Sequence, residues 1–287
     1  MLRHLFLHIQ KAGGTSVVEN LWKPAVPVAE RYLEDDLVAG GAAHGEPHTY
    51  FEMSVVSHVY GLPYRDVFAA FWNAGKLPRH CRLYSGHFGY GIHEVIGGPC
   101  RYCTVIRQPV GRVISHFNLL KSLDFFDGDF GQYLTSGKME VDNYQVRALT
   151  RRGFCHAPVA EGDLHEAIHN LTSGFDFCVT EHLDEFVDGM IEQYRLPIEN
   201  CRVVANRTDD ATHVKGSPHI AHQQFPVDPD LLPRLAEMNY LDMRLYEFAK
   251  RVSAERWLQV AGFGPRDTPK DDADPPPLQV RHELERA

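Results

Sequence analysis

Short apolar runs alternate with amphipathic repeats along most of the chain. Residues 5–9 form an apolar run ending at a glycine-containing loop, and Val17, Val18, Leu21 and Trp22 follow at helical spacing, which predicts strand, loop, helix. A second such unit is predicted where residues 102–106 are short, apolar and β-rich. Behind them Val110, Val113, Ile114, Phe117 and Leu120 repeat helically after Pro109, a residue that the first helical turn tolerates. Residues 81–85 read as another strand closed by Gly86, and Val67, Phe68, Phe71 and Trp72 mark a helix face after the turn at 61–63. Further on, residues 175–180 predict a strand, Leu183, Phe186, Val187, Met190, Ile191 and Tyr194 a helix stopped by Pro197, and residues 201–205 a last strand. Two helical patterns follow, the second carrying Leu241, Leu245, Phe248 and Val252. Residues 24–50, rich in Pro, Gly, Ala and His, read as irregular, with room for a substrate-facing excursion.

Short apolar strands alternating with helices predict an α/β fold, a mainly parallel central sheet with helices on both faces. Ligands of such folds bind at the carboxyl ends of the strands, where the loops after Ile9 and Ile106 both begin. A chain of 287 residues with 44% hydrophobic content can form one large domain, expected over residues 1–263. From Gly264 the Pro-, Asp- and Arg-rich stretch 264–287 has little to bury and is expected to be a mobile tail.

Charge narrows what that domain binds. A net charge of −9 argues against a general nucleic-acid or acidic-membrane binder, which carries a basic face, so an anionic ligand must be held locally. Two acid-free stretches provide for this: residues 1–18 contain Arg3 and Lys11, and residues 95–123 contain Arg101, Arg107, Arg112 and Lys121. The six cysteines lie in apolar segments of a chain too large to need a disulfide framework and read as reduced core residues. Cys100 and Cys103 form a C-x-x-C without a second pair at zinc spacing, and no metal is expected. No stretch approaches the roughly 20 apolar residues of a membrane span, and the first apolar run is too short for a signal peptide. The expectation is a soluble, cytoplasmic protein.

In HIQKAGGTS, residues 8–16, Gly13 and Gly14 let the main chain turn tightly, so the amides of residues 13–16 can point at phosphate oxygens. Thr15 and Ser16 add hydroxyl donors, and Lys11 can reach a bridging oxygen on which charge grows as a group is transferred. An ordinary strand-to-helix turn capped by Thr15 or Ser16 is the plainer alternative. A nucleoside-triphosphate loop needs G-x-x-x-x-G-K-[ST], with lysine behind the second glycine; here Lys11 precedes both glycines, which weakens that rival. In VIRQPVGRVISHF, residues 105–117, Arg107 stands at a strand end as a planar fork for a phosphate. Ser115 faces back toward it from the following helix, unless the two are simply a surface ion-pair partner and a small helix residue.

Residues 8–16 resemble the 5′-phosphosulfate loop of the carbohydrate sulfotransferases that use 3′-phosphoadenosine 5′-phosphosulfate (PAPS), a family that modifies heparan, dermatan and chondroitin chains. Residues 105–117 resemble that family's 3′-phosphate motif, and weaker similarity covers most of residues 5–252. The resemblance implies a P-loop-like three-layer sandwich and sulfuryl transfer from PAPS to a hydroxyl of a glycan or glycolipid, releasing adenosine 3′,5′-bisphosphate. It further implies that Lys11 assists departure, that Gly13, Gly14, Thr15 and Ser16 bind the 5′-phosphate, and that Arg107 and Ser115 clasp the 3′-phosphate. Gln108, where the family often has an acid, is expected to matter little, and Arg112 to be solvated or acceptor-facing. The Golgi members carry an anchor and stem, whereas this chain starts almost at its first strand, so a bacterial-type soluble member is expected.

Transfer to an alcohol needs a group that takes the hydroxyl proton near neutrality, which suits histidine. His87, in SGH at residues 85–87, ends a strand at the same sheet edge as Lys11 and Arg107. The element is similar to the Gly-His of the uronosyl 2-O-sulfotransferase branch; His87 is the expected base and His93 the second choice. Asn143 and Arg147, four apart on a predicted helix, lie in DNYQVR at 142–147, similar to a family segment near the acceptor. Lys215 and Gly216, in a loop rich in His, Ser and Thr, can close over the nucleotide. Two other readings stay open. A phosphotransferase would need magnesium and a carboxylate at a strand end, for which Glu181 is nearest. A non-catalytic nucleotide or glycan binder would need neither Lys11 nor His87.

Overall fold

The computed structural model describes residues 2–33, 50–53, 64–153, 156–194 and 224–258. In chain order they hold β1 (Arg3–Leu7), α1 (Gly14–Val17), β2 (Arg31–Tyr32), β3 (Tyr50–Met53), α2 (Tyr64–Asn73), β4 (Leu83–Gly86), α3 (Ile92–Ile96) and β5 (Cys100–Ile106). Then come α4 (Pro109–Ser122), α5 (Phe130–Leu134), α6 (Tyr144–Ala148), α7 (Glu161–Gly174), β6 (Phe175–Val179), α8 (Leu183–Tyr194), α9 (Leu232–Met238) and α10 (Tyr240–Leu258). A π-helical turn, Val18–Trp22, prolongs α1.

Strands β1, β5 and β6 place apolar residues on both sides because each strand is buried on both faces. From β1, Leu5 and Leu7 enter one core and Phe6 the other; from β6, Phe175, Phe177 and Val179 enter the first and Cys178 the second. The six strands are all parallel, in the order β2-β3-β4-β1-β5-β6. Helices α2, α6, α7 and α10 cover the first face through residues such as Phe68, Val146, Leu171 and Leu245. The α1 segment and α8 cover the second through Val17, Leu21, Phe186 and Met190. The architecture is thus a three-layer α/β sandwich. A third cluster of Val113, Phe117, Phe130, Tyr133 and Leu235 fixes α4 against α5 and α9 beside the sheet.

Two strands lie within or against the segment read as irregular. Arg31 and Tyr32 pair with Tyr50 and Phe51, and β3 in turn pairs with β4. With two and four residues, these strands are too short to show periodicity. Helix α7 buries Leu164, Ala167, Ile168 and Leu171, a legible spacing that the pattern reading passed over. Cys100 and Cys103 stand three apart on β5 and contact opposite cores, so they cannot chelate one ion. The turn at 61–63, the strand at 201–205 and the tail at 264–287 lie outside the described residues. No helix among the described residues is long and apolar enough to cross a membrane.

Candidate anion-binding active site

Past the end of β1, the His8 N–H still donates to Gly86 O at 2.8 Å, and the chain then turns, with the Ala12 N–H donating to Ile9 O at 3.2 Å. The turn requires left-handed backbone at two places: Lys11, with φ of 63°, and Gly13, with φ of 89°. A non-glycine residue held there costs about 1 kcal/mol, so the conformation of Lys11 is imposed by its surroundings. Helix α1 begins at Gly14, and the Ser16 N–H donates to Gly13 O at 3.0 Å. A Cβ on Gly14 would fall on the imidazole of His8; glycine is needed here by a close approach within the protein.

Arg107 stands at the end of β5 and is fixed on three sides. Its N–H donates to Gln145 Oε1 at 2.9 Å, Gln145 Nε2 donates to its carbonyl at 2.8 Å, and its Nη1 donates to the carbonyl of Lys11 at 2.8 Å. The two acid-free loops, ninety-six residues apart, are therefore joined directly. Thr180, at the end of β6, adds a shared bond from Oγ1 to Ala12 O and Ile106 O, each at 3.3 Å. Burial, then the charge of Arg107, pushes the Lys11 amine down to about 8. Burial and Arg112 lower Arg107 below its ordinary value, against the opposing pull of Glu181.

These loops form one wall of a cavity of about 860 Å³, within the usual range of ligand pockets. Lys11, Gly13, Gly14, Thr15, Ser16, Arg107 and Ser115 all line it. Ser115 arrives with Gly111, Ile114 and Asn118 on one face of α4. The start of that helix is capped by Gln108, whose Oε1 accepts from the Gly111 N–H at 2.7 Å, so Gln108 holds the helix that presents Ser115. The cavity is also lined by Glu181 and Asp184 with Phe225, Val227 and Leu232. Glu181 accepts a hydrogen bond from the Tyr246 hydroxyl at 2.6 Å, and burial together with that carboxylate raises the phenol above its ordinary value.

His87 does not line the cavity; His8 does. The two rings lie 4.4 Å apart between centroids, and His87 Nδ1 donates to the His8 carbonyl at 2.6 Å, which leaves the neutral His87 lone pair on Nε2. His93 belongs to α3, where its Nδ1 meets the Tyr102 hydroxyl at 2.9 Å. It is also absent from the cavity wall.

Asn143 and Arg147 do not line the cavity either, and neither is an exposed helix residue, with 7% and 2% of their surface accessible. Asn143, at φ of 45°, precedes α6; its Oδ1 accepts from the Leu241 and Asp242 amides, both at 2.9 Å, and its Nδ2 donates to Met238 O at 2.9 Å. Arg147 donates to Asp142 and to Ala157 O. Asn143→Ala is accordingly expected to lower the unfolding free energy by about 3 kcal/mol, read from urea titration. Arg112, expected at a solvated or acceptor-facing place, is fully buried over the Tyr144 ring with a bond to Glu140 O, because the third core closes around α4. Lys215 and Gly216 lie outside the described residues.

The sequence places His8 at the head of the loop without a role for its ring, and Asp184 and Phe225 were not foreseen in the lining. His8 carried a signal: it follows Phe6 by two positions and so shares its side of the strand direction. Comparison of the sequence with protein-family models and with curated proteins returned no match.

Proposed function

We propose that this chain transfers a sulfuryl group from PAPS to a hydroxyl acceptor. The observation that carries the reading is the convergence of Lys11 and Arg107, from two acid-free loops, on one cavity and through one direct hydrogen bond. Such an arrangement fits a nucleotide with two separate phosphate groups. The 5′-phosphosulfate would lie on the amides and hydroxyls of Gly13, Gly14, Thr15 and Ser16, and the 3′-phosphate on Arg107 and Ser115. Lys11 would neutralise charge on the leaving phosphate oxygen, and a histidine of the His8–His87 pair would accept the acceptor proton. A glycan or glycolipid hydroxyl is the acceptor class, and the cytoplasm the setting, in keeping with Cys81, Cys103 and Cys178 as buried core residues. Single-turnover incubation with 35S-labelled PAPS and a panel of glycans, glycolipids and phenols should yield a labelled ester; labelled phosphate transfer from ATP instead would end the reading.

One observation favours a second reading, a phosphotransferase: Glu181 stands in the cavity at the end of a parallel strand, where a magnesium-holding carboxylate would be needed. Its existing bond to Tyr246 and the position of Lys11 ahead of both glycines weigh against it.

The low-lying Lys11 amine gives the PAPS reading a pH signature. It loses its proton as pH rises through about 8, whereas a bound anion favours the charged form. Affinity for adenosine 3′,5′-bisphosphate should therefore fall between about pH 7 and 10, with proton uptake on binding near pH 8 to 9, measured by calorimetry in buffers of different ionisation enthalpy. For the free protein the sign is opposite. Between about 8 and 10.5 the unfolded chain holds the extra proton, so the contribution of Lys11 to stability rises with pH there.

A further inference from the structure

The imidazole on the cavity wall is that of His8. The hydrogen bonds that fix this residue are made by its main chain, N–H to Gly86 O and carbonyl from His87 Nδ1. Its ring nitrogens have no partner among the described residues, and the ring lies over Gly14 in the cradle, with Phe6 stacked behind at 5.6 Å. The ionisable groups that face it are His87 from the end of β4 and Lys11 from its own loop. Both charges, and burial before them, disfavour a proton on His8 and hold its acid form well below the ordinary histidine value. A neutral imidazole facing a group-transfer cavity is the state that a general base requires.

We propose, resting on the PAPS reading above, that His8 is the group that touches the acceptor hydroxyl and takes its proton, while His87 is a positioning residue that holds the His8 main chain. In the step, the acceptor O–H proton passes to a ring nitrogen of His8 and the acceptor oxygen bonds to sulfur. The bond from sulfur to the 5′-phosphate oxygen breaks, leaving its electron pair on that oxygen beside Lys11. The proton on His8 goes to solvent after the products leave.

Water can serve as the acceptor, so the full chain and PAPS are enough for the test. His8→Asn should slow single-turnover PAPS hydrolysis at least about 100-fold while leaving adenosine 3′,5′-bisphosphate affinity within about threefold. His87→Asn retains an N–H for the His8 carbonyl and should slow hydrolysis less than about tenfold. Equal losses, or the reverse order, overturn the assignment. A second measurement does not depend on a variant's folding. Diethylpyrocarbonate attacks unprotonated imidazole; in the wild-type chain at mildly acid pH, peptide mapping should find His8 labelled before His87 and protected by adenosine 3′,5′-bisphosphate. Labelling of His87 with His8 untouched overturns the proposal. Failure of the wild type to bind the bisphosphate at all sinks the PAPS reading instead, and the labelling order still shows which ring faces the cavity.

Discussion

Replacing Lys11 by alanine is expected to slow sulfuryl transfer by about 1000-fold and to change the affinity for the donor, PAPS, by no more than about threefold. The two effects separate because the charge that Lys11 meets grows on the leaving oxygen only as the sulfur bond breaks. Its setting suits that task. The main chain is held at φ of 63°, the carbonyl is tied to Arg107 Nη1, and burial beside that guanidinium keeps the amine near 8, so it is mostly charged at neutral pH and poorly solvated. Alanine has the same left-handed backbone cost as lysine, so the fold should tolerate the change. Single-turnover rates with labelled PAPS, paired with calorimetry, check this; equal losses in rate and affinity would make Lys11 a ground-state binding residue.

Arg107→Ala should weaken adenosine 3′,5′-bisphosphate binding by about 100-fold, the largest affinity loss expected of any single cavity residue. Removing the guanidinium takes away the planar fork for the 3′-phosphate and the bond to the Lys11 carbonyl. Gln145 should stay in place, because it clamps the backbone of residue 107 rather than the side chain. Arg107→Lys restores the charge without the fork and should recover only part of the affinity. Wild-type affinity in the alanine variant would remove Arg107 from the site.

The sheet was legible where burial made the residues speak. Strands β1, β5 and β6 carry apolar residues on both sides because both faces are covered, and α4 and α8 carry long amphipathic repeats. Strands β2 and β3 were not legible: Arg31 and Tyr32 owe their strand geometry to pairing with Tyr50 and Phe51, a tertiary cause that leaves no local pattern. In the cavity, the glycine pair and Arg107 were visible from chain chemistry alone. The difference between His8 and His87 was not, since both end neighbouring parallel strands, and which ring reaches the wall depends on Gly14 leaving space above it. Asn143 and Arg147 show the converse: polar residues four apart look like a site on a helix, yet their partners, from Leu241 and Asp242 to Ala157, come from other parts of the chain.

The most direct test of a two-phosphate clasp is titration of the full chain with adenosine 3′,5′-bisphosphate and, separately, with ATP and magnesium. Micromolar or tighter binding of the bisphosphate without a divalent cation, lost in Arg107→Ala, is the result expected. Binding of magnesium–ATP with no binding of the bisphosphate would contradict it.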